Sequence, residues 1–274
     1  MKTATTRSEA SSLKKTDVFD LDGAYQDHID NILADDRQGH FHPSMVGMCG
    51  RRNVYEFTRA PQDLNATSGE SREIFDLGHA VHDIVQSRME AMDVGLAARG
   101  ITFRFQREVP HDPATDWLRQ DFGIGGTCDG ILEIEGDGWK QRGVLEVKSI
   151  GDSSYNQLSG PKAEHVDQAH LYALRFDCPI IWIWYYNKNK STRRVFTVIF
   201  DPDRAERILQ KYTAWLDHVR AGTLPDREES RFMCPECPYL ESCKPSIQGL
   251  QLRRKTTNAT VRRNLRAFNT RKSP

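Results

Sequence analysis

Three stretches of the chain place apolar residues three or four positions apart, which is the spacing of an amphipathic helix. The first stretch contains Ile74, Leu77, Val81, Val85 and Met89. The second is residues 165–176, and the third is residues 201–222, where Asp201 is suited to cap the first turn. Residues 16–60 also have a mostly helical pattern, within which residues 39–57 form a loop that enters a helix.

Five other stretches are rich in β-branched and aromatic residues and predict strands. They are residues 101–110, 122–136, 143–150, 179–189 and 193–201. Along the chain the predicted order is a helix, three strands, a helix, two strands and a helix. This order favours an α/β fold, with a mixed β-sheet flanked by helices in one main domain.

Composition agrees with a folded and soluble domain. The chain has 274 residues, of which 38% are hydrophobic and 28% are charged. No apolar run approaches the roughly 20 residues that a membrane helix needs. The first 15 residues lack the apolar core of a signal peptide and are predicted to be disordered. A cytoplasmic location, in a cell or a phage-infected bacterial host, and reduced thiols are therefore expected.

Charge is distributed unevenly although the net charge is zero. Residues 251–274 contain eight Lys or Arg residues and no acidic residue, so the rest of the chain is acidic. A flexible basic tail on an acidic domain, residues 16–250, suggests a polyanionic partner such as nucleic acid. A tail that only improves solubility is the alternative.

Residues 143–150 (GVLEVKSI) carry two charged side chains inside an apolar strand. Because neighbouring side chains of a strand point to opposite faces, Glu146 and Lys148 project to the same side. Asp129 lies on the preceding predicted strand, which a glycine-containing turn would let pair with this one. Two adjacent carboxylates repel each other unless a cation lies between them, and their oxygens suit Mg²⁺ or Mn²⁺. The pattern indicates a phosphodiester-cleaving site, with a salt-bridge network as the alternative.

Two helical pairs of residues accompany this pattern. Gly78 and His82 lie one turn apart, so that the glycine would allow close approach and the imidazole could bind the same metal. Gln168 and Tyr172 are also four residues apart, and an amide and a phenol on one face can hold a phosphate or a base edge. A satisfied core or surface histidine and a surface Gln–Tyr pair are the simpler alternatives.

In this order the motifs GxxxH, D, ExK and QxxxY resemble those of the RecB-like exonuclease branch of the PD-(D/E)XK superfamily, over roughly residues 40–245. One departure is Cys128, which stands where proline precedes the acid in the superfamily's signature. The resemblance implies a restriction-endonuclease-like mixed sheet. It implies Mg²⁺ or Mn²⁺ bound by His82, Asp129 and Glu146. The catalytic residues that it implies are Asp129, Glu146, Lys148, Gln168 and Tyr172.

Cysteines add a second possible metal centre. Cys234, Cys237 and Cys243 have the spacing C-x2-C-x5-C, and Cys49 is the best candidate for a fourth ligand. Zinc is the usual ion for four thiolates, but zinc knuckles normally use two local pairs. The arrangement resembles the iron–sulfur subgroup of RecB-like nucleases, which includes the AddB nuclease domain and the CRISPR-associated RecB-like nuclease. The likeness implies a structural [4Fe-4S] cluster that joins the N- and C-terminal segments. Cys128 and Cys178 are expected to behave as small hydrophobic residues.

Taken together, the resemblance implies a metal-dependent exonuclease, acting on single-stranded DNA in recombination, end processing or CRISPR spacer acquisition. Proteins of recombination or of CRISPR adaptation are the partners that it suggests. Candidate phosphate contacts, each with an ordinary exposed side chain as the alternative, are Arg51, Arg52, Lys188, Arg253, Arg254 and Lys255. The rival functions are a structure-selective, flap-type endonuclease and a non-catalytic iron–sulfur protein that binds nucleic acid.

Overall fold

A computed structural model describes residues 19–30, 39–63, 69–110, 116–228, 230, 233–235 and 237–243. The predicted disordered N-terminus lies outside these residues. So does the predicted basic tail, with Arg253, Arg254 and Lys255. Among the described residues, no helix is both long and apolar enough to cross a membrane.

The centre of the fold is a five-stranded sheet in which the strands follow each other in chain order. The strands are β1 (Thr102–Pro110), β2 (Thr127–Gly136), β3 (Trp139–Ile150), β4 (Ile180–Asn187) and β5 (Thr192–Ile199). Neighbouring strands are antiparallel except β3 and β4, which are parallel. The predicted mixed sheet flanked by helices is therefore confirmed.

Helices of the described part of the chain occupy both faces of this sheet. They are α1 (Leu21–Asp30), α2 (Gly50–Phe57), α3 (Gly69–Glu90), α4 (Met92–Ala97), α5 (Trp117–Phe122), α6 (Asp152–Asn156), α7 (Ala163–Arg175), α8 (Pro202–Ala221) and α9 (Leu240–Cys243). The predicted order of long helices and strands is confirmed. The sequence pattern did not predict α4, α5, α6 and α9, because helices of four to six residues are too short to show a period.

Helix α3 packs on one face of the sheet through the second half of its length. Val81, Val85 and Met89 are buried in a cluster with residues of β1, β2 and β3. In the first half, Ile74 and Leu77 are about half exposed although they continue the same stripe. That half lies outside the cluster and contacts α1, where the hydroxyl of Tyr25 donates to Glu73.

Helix α7 lies between the other face of the sheet and α8. Val166 and Ala169 pack on β3 and β4, whereas Leu171 packs with Tyr212 and Leu216 of α8. Such burial on two sides requires apolar residues nearly all round the helix. Helix α8 begins at the predicted cap, because the carboxylate of Asp201 accepts hydrogen bonds from the backbone N–H groups of Asp203 and Arg204.

A buried ion pair fixes α5 against α7. The carboxylate of Asp116 is fully buried, accepts hydrogen bonds from the backbone N–H groups of Leu118 and Arg119, and also accepts from Arg175. Asp116 is thus both a helix cap and the partner of a mostly buried guanidinium. Loss of the carboxylate would leave that guanidinium without its anion in the interior.

We expect Asp116→Ala to lower the free energy of unfolding by about 3–5 kcal/mol, because it removes a cap and leaves a buried charge unpaired. Asp201→Ala is the matched control, since it removes an exposed cap of the same kind and should cost about 1 kcal/mol. Urea unfolding of both variants measures the difference. Equal losses would contradict a role for the ion pair.

Candidate active site

The candidate site lies where β2 and β3 separate. Their regular pairing runs from the hairpin as far as Gly130 opposite Leu145. Beyond that pair, the side chain of Asp129 takes the place of a backbone partner, because its Oδ2 accepts a 2.6 Å hydrogen bond from the backbone N–H of Val147. This contact satisfies the N–H group and fixes one carboxylate beside the Glu146–Lys148 segment.

His82 of α3 reaches the same carboxylate from the face above the sheet. Its Nδ1 lies 3.3 Å from Oδ1 of Asp129. Burial lowers the pKa of His82, but the hydrogen bond and the charge of Asp129 outweigh burial, so the pKa lies above its ordinary value. His82 and Asp129, both predicted as metal ligands, therefore lie close together. A Cβ at Gly78 would meet Ser149 at an ordinary 3.6 Å, so this contact does not itself demand a glycine.

Glu146 and Lys148 point toward α7, as the alternation of the strand predicts. Lys148 Nζ lies 2.7 Å from Oε1 of Glu146 and donates to Oε1 of Gln168 at 2.8 Å. Burial lowers the pKa of Lys148, but the adjacent charge of Glu146 raises it above the ordinary value. Lys148 thus stays protonated. Tyr172 is buried and hydrogen-bonds to Gln168, so it supports Gln168 from within the core.

One oxygen of Glu146 has no partner among the described residues. The side chain is only 2% exposed, and Oε2 is buried without a hydrogen bond. Burial raises the pKa of Glu146 to about 7, although the charge of Lys148 acts in the opposite direction. A buried, unpartnered carboxylate oxygen is costly unless a cation or a proton reaches it. Glu146 therefore suits a divalent cation, which hard oxygen ligands bind.

A further acid, which the sequence analysis did not identify, lies at this site. Ligand atoms of His82, Asp129 and Glu108 all lie within 4.8 Å of one another. Glu108 belongs to β1, and nothing in the pattern REVP marks it out, because a single exposed glutamate on an edge strand is ordinary. Its relevance comes from the pairing of β1 with β2, which puts it beside Asp129.

A neutral histidine, also not identified from the sequence, lies one turn before Gln168. The hydroxyl of Tyr185 accepts the backbone N–H of Lys162 and lies 2.7 Å from Nδ1 of His165. In the tautomer with the ring proton on Nε2, the hydroxyl uses its own proton to donate to Nδ1. Burial and the charges of Lys148 and Lys162 lower the pKa of His165 to about 3. His165 is therefore an uncharged donor near Lys148.

The four predicted cysteine ligands line one pocket. Cys49 precedes α2, and Cys234, Cys237 and Cys243 lie on the C-terminal segment; Met48, Tyr55 and Met233 complete part of the wall. Cys128 and Cys178 are buried elsewhere in the apolar core, as predicted. The remote cysteine and the local triplet are thus brought together by the fold.

The spacing of these thiols differs from that of a single-zinc site. Four sulfurs around zinc, at about 2.3 Å from the ion, lie only about 3.8 Å apart. Within the described part of the chain, no three of the four cysteine sulfurs lie within 4.8 Å of one another. Burial raises the pKa of Cys237, and negative charge at Cys49 and Cys243 raises it further.

Direct contacts also join the two terminal segments. Asp63, which follows α2, accepts hydrogen bonds from the backbone N–H of Glu241 and the hydroxyl of Ser242. Tyr55 stacks on Tyr239 with ring centroids 4.9 Å apart. The C-terminal segment is therefore held to α2 through polar and aromatic contacts beside the cysteine pocket.

Of the predicted phosphate contacts in the described chain, two arginines face this pocket. Arg51 donates from Nε to the carbonyl of Pro225 at 2.7 Å and approaches Sγ of Cys243 at 3.8 Å. Arg52 approaches Sδ of Met48 at 4.0 Å and lines the same pocket. Lys188 is half-buried and directly follows β4, whose last residue, Asn187, pairs with Ile150 of β3.

Comparison with protein-family models and with curated proteins finds no match for the sequence. An alkaline exonuclease (LHK-Exo) from Laribacter hongkongensis is 15% identical, with a TM-score of 0.47 over 68% of this chain and 90% of that chain. Its complex with dAMP matches at a TM-score of 0.45. The structure of SSO0001 is 14% identical, with a TM-score of 0.48 over 81% of this chain and 93% of that chain. The geometry of the site itself carries the functional argument.

The raised pKa of Glu146 gives a test of cation binding. Below about pH 7 this carboxyl holds a proton that a cation must displace, and His82, whose pKa is also raised, adds to the effect. We expect the affinity for Mn²⁺ to rise with pH up to about 7 and then to level off. For each proton that the cation displaces, the rise is at most about tenfold per pH unit. Calorimetry in buffers of different ionisation enthalpy counts the protons released. An affinity independent of pH between about 5.5 and 8 would contradict this assignment.

Proposed function

We propose that the protein is a metal-dependent deoxyribonuclease that hydrolyses phosphodiester bonds at the Asp129–Glu146–Lys148 site. The observation that carries the proposal is that the Asp129 carboxylate binds the backbone N–H of Val147, between Glu146 and Lys148, while a buried oxygen of Glu146 is left unpartnered. A structural salt bridge alone would need neither that oxygen nor His82.

Each residue has a role that its position supports. His82, Asp129 and Glu146 would hold Mg²⁺ or Mn²⁺, which supplies Lewis acidity and a more acidic bound water. Lys148, kept protonated beside Glu146, offsets the negative charge that develops on the phosphate and orients the attacking water.

The residues of α7 orient these groups. Gln168 holds the ammonium of Lys148 in place, and buried Tyr172 holds Gln168. His165 is uncharged at physiological pH because its pKa is about 3, and a neutral imidazole still carries one N–H donor. Neutral donors near the site would hold a phosphodiester without adding a second positive charge.

The mode of cleavage that we propose is exonucleolytic degradation of single-stranded DNA, in recombination, end processing or spacer acquisition. The motif order from His82 to Tyr172 supports this, and the basic residues 251–274 would add salt-dependent affinity for the strand. A flap-type endonuclease would cut internally at a junction, so the products distinguish the two modes.

We expect the protein, purified without oxygen, to degrade DNA in the presence of Mn²⁺ or Mg²⁺ but not EDTA. Asp129→Ala and Lys148→Ala should each lower the rate at least about 100-fold, because each removes transition-state stabilisation. Lys140→Ala, at the exposed end of the β2–β3 hairpin, is the matched lysine control and should keep the wild-type rate. The assay uses single- and double-stranded DNA labelled at the 5′ or the 3′ end, which also gives the polarity.

Equal cleavage by the wild type and the Asp129→Ala variant would show that the activity comes from elsewhere. Binding of DNA without cleavage under all metal conditions would instead favour a non-catalytic nucleic-acid-binding protein. Release of oligonucleotides from a flap, rather than mononucleotides from an end, would favour the structure-selective endonuclease.

We further propose that Cys49, Cys234, Cys237 and Cys243 hold a [4Fe-4S] cluster. The four thiols lie in one pocket, which supports a metal centre, and one remote cysteine with a local triplet, rather than two local pairs, favours a cluster over zinc. The cluster would tie α2 to the C-terminal segment, across about 185 residues of chain, and so stabilise the fold.

We expect the anaerobically purified protein to be brown and to contain iron, and Cys237→Ala to lose both the colour and the iron. Cys178→Ala is the matched control, because this thiol is buried away from the pocket and should leave iron unchanged. Iron and zinc are measured by elemental analysis, and the cluster by its absorption spectrum. Stoichiometric zinc without iron would overturn the assignment.

A further inference from the structure

Glu108 has a backbone conformation that its place in a strand does not explain. Its φ is +48°, in the left-handed region that non-glycine residues rarely adopt, although Arg107 and Val109 on either side pair with Gly130 and Cys128. Such a conformation is strained and persists only where surrounding contacts enforce it.

The turn in the backbone changes which way the side chains of β1 point. Arg107 contacts Asp83 and Glu90 of α3, and the next residue, Glu108, contacts Gln86 of the same helix. Two consecutive side chains thus reach α3, whereas regular alternation would send them to opposite faces. Val109 then packs with the core on the α7 side. The irregularity therefore directs the carboxylate of Glu108 toward the helix that carries His82.

Gln86 holds this carboxylate beside Asp129. The side chain is fully buried, and its single amide nitrogen donates both to Oε1 of Glu108 and to the backbone carbonyl of Asp129, the latter at 2.8 Å. Because both partners are acceptors, the reversed amide would set oxygen against oxygen, so this orientation is the favourable one. One amide group thus fixes the distance between the two acidic residues.

The charges at this point call for a cation. Asp129 and Glu108 place ligand atoms within 4.8 Å of each other and of His82, and among the described residues no lysine or arginine forms an ion pair with Glu108. Adjacent carboxylates repel each other unless a cation lies between them. The unpartnered buried oxygen of Glu146 is a separate indication that a ligand belongs here.

The distances suit such an ion. Octahedral ligands at about 2.1 Å from Mg²⁺ lie about 3–4 Å apart. His82 Nδ1 and Asp129 Oδ1 are 3.3 Å apart, and the Glu108 carboxylate completes a group whose atoms span no more than 4.8 Å. A small side-chain adjustment would bring all three to one cation.

We propose that Glu108 is a further ligand of the divalent cation held by His82 and Asp129. The proposal rests on the metal site of the proposed nuclease and adds to it a carboxylate from β1. It also accounts for the left-handed backbone, since the strain at Glu108 places its carboxylate beside Asp129 while Arg107 still pairs with α3.

The test is Mn²⁺ binding to the full chain without DNA, measured by calorimetry and by the loss of the free-ion EPR signal. Glu108→Gln, which keeps the size of the side chain and its exposed position, should weaken Mn²⁺ binding about 10–100-fold. It should also reduce the rise in melting temperature that Mn²⁺ causes, because that rise depends on the affinity. Glu135→Gln is the matched control, since Glu135 is an exposed acid of β2 away from the site.

Asp129→Ala separates this proposal from the proposed function. If Asp129→Ala abolishes Mn²⁺ binding while Glu108→Gln binds as the wild type does, Glu108 is no ligand although the metal site stands. If the wild type itself does not bind Mn²⁺, both the ligand assignment and the metal-dependent nuclease fail. Weakened binding in Glu108→Gln, with an unchanged melting temperature of the metal-free protein and a normal Glu135→Gln control, supports the assignment.

Discussion

The hydrogen bond from the backbone N–H of Val147 to the carboxylate of Asp129 is the contact on which the site depends. Where β2 and β3 part, an N–H in the sheet interior loses its ladder partner, and an unpaired buried N–H would destabilise the fold. Asp129 supplies the missing acceptor, so the separation of the strands is tolerated. On either side of Val147, Glu146 pairs with Lys148, and Lys148 donates to Gln168. A single hydrogen bond thus both satisfies the backbone N–H of Val147 and fixes the carboxylate of Asp129.

Much of this arrangement is encoded locally and could be predicted from the sequence. Alternation in β3 put Glu146 and Lys148 on one face, and helical spacing put Gln168 and Tyr172 on one side of α7. Strand β4 itself followed from its apolar and aromatic run, and its residues alternate between buried and partly buried. The meeting of Asp129 with His82 needed the resemblance as well, because two residues 47 positions apart have no local relation.

What the sequence did not show depends on pairings between distant elements. Glu108 becomes part of the site only because β1 lies against β2 in one register and turns through a left-handed residue. His165 is neutral because burial and the charges of Lys148 and Lys162 lower its pKa, and its ring bonds to Tyr185 on β4. No periodicity marks either residue. The exposure of Ile74 and Leu77 was also not predictable from local sequence. An apolar stripe shows which face of a helix is apolar, but it does not show how far the sheet extends beneath that face.

The site also shows why so many charges are tolerated inside a small apolar sheet. Val144, Leu145 and Val147 are almost fully buried, so the strand that carries Glu146 and Lys148 has little freedom to move. In such surroundings the free energy of burying Glu146 is offset partly by Lys148 and partly by a proton, which is why the pKa of Glu146 lies near 7. Lys148 is in turn held by Gln168, which ties the ammonium to α7 rather than to solvent. The pKa of Glu146 thus reflects a balance between burial, which raises it, and the charge of Lys148, which lowers it.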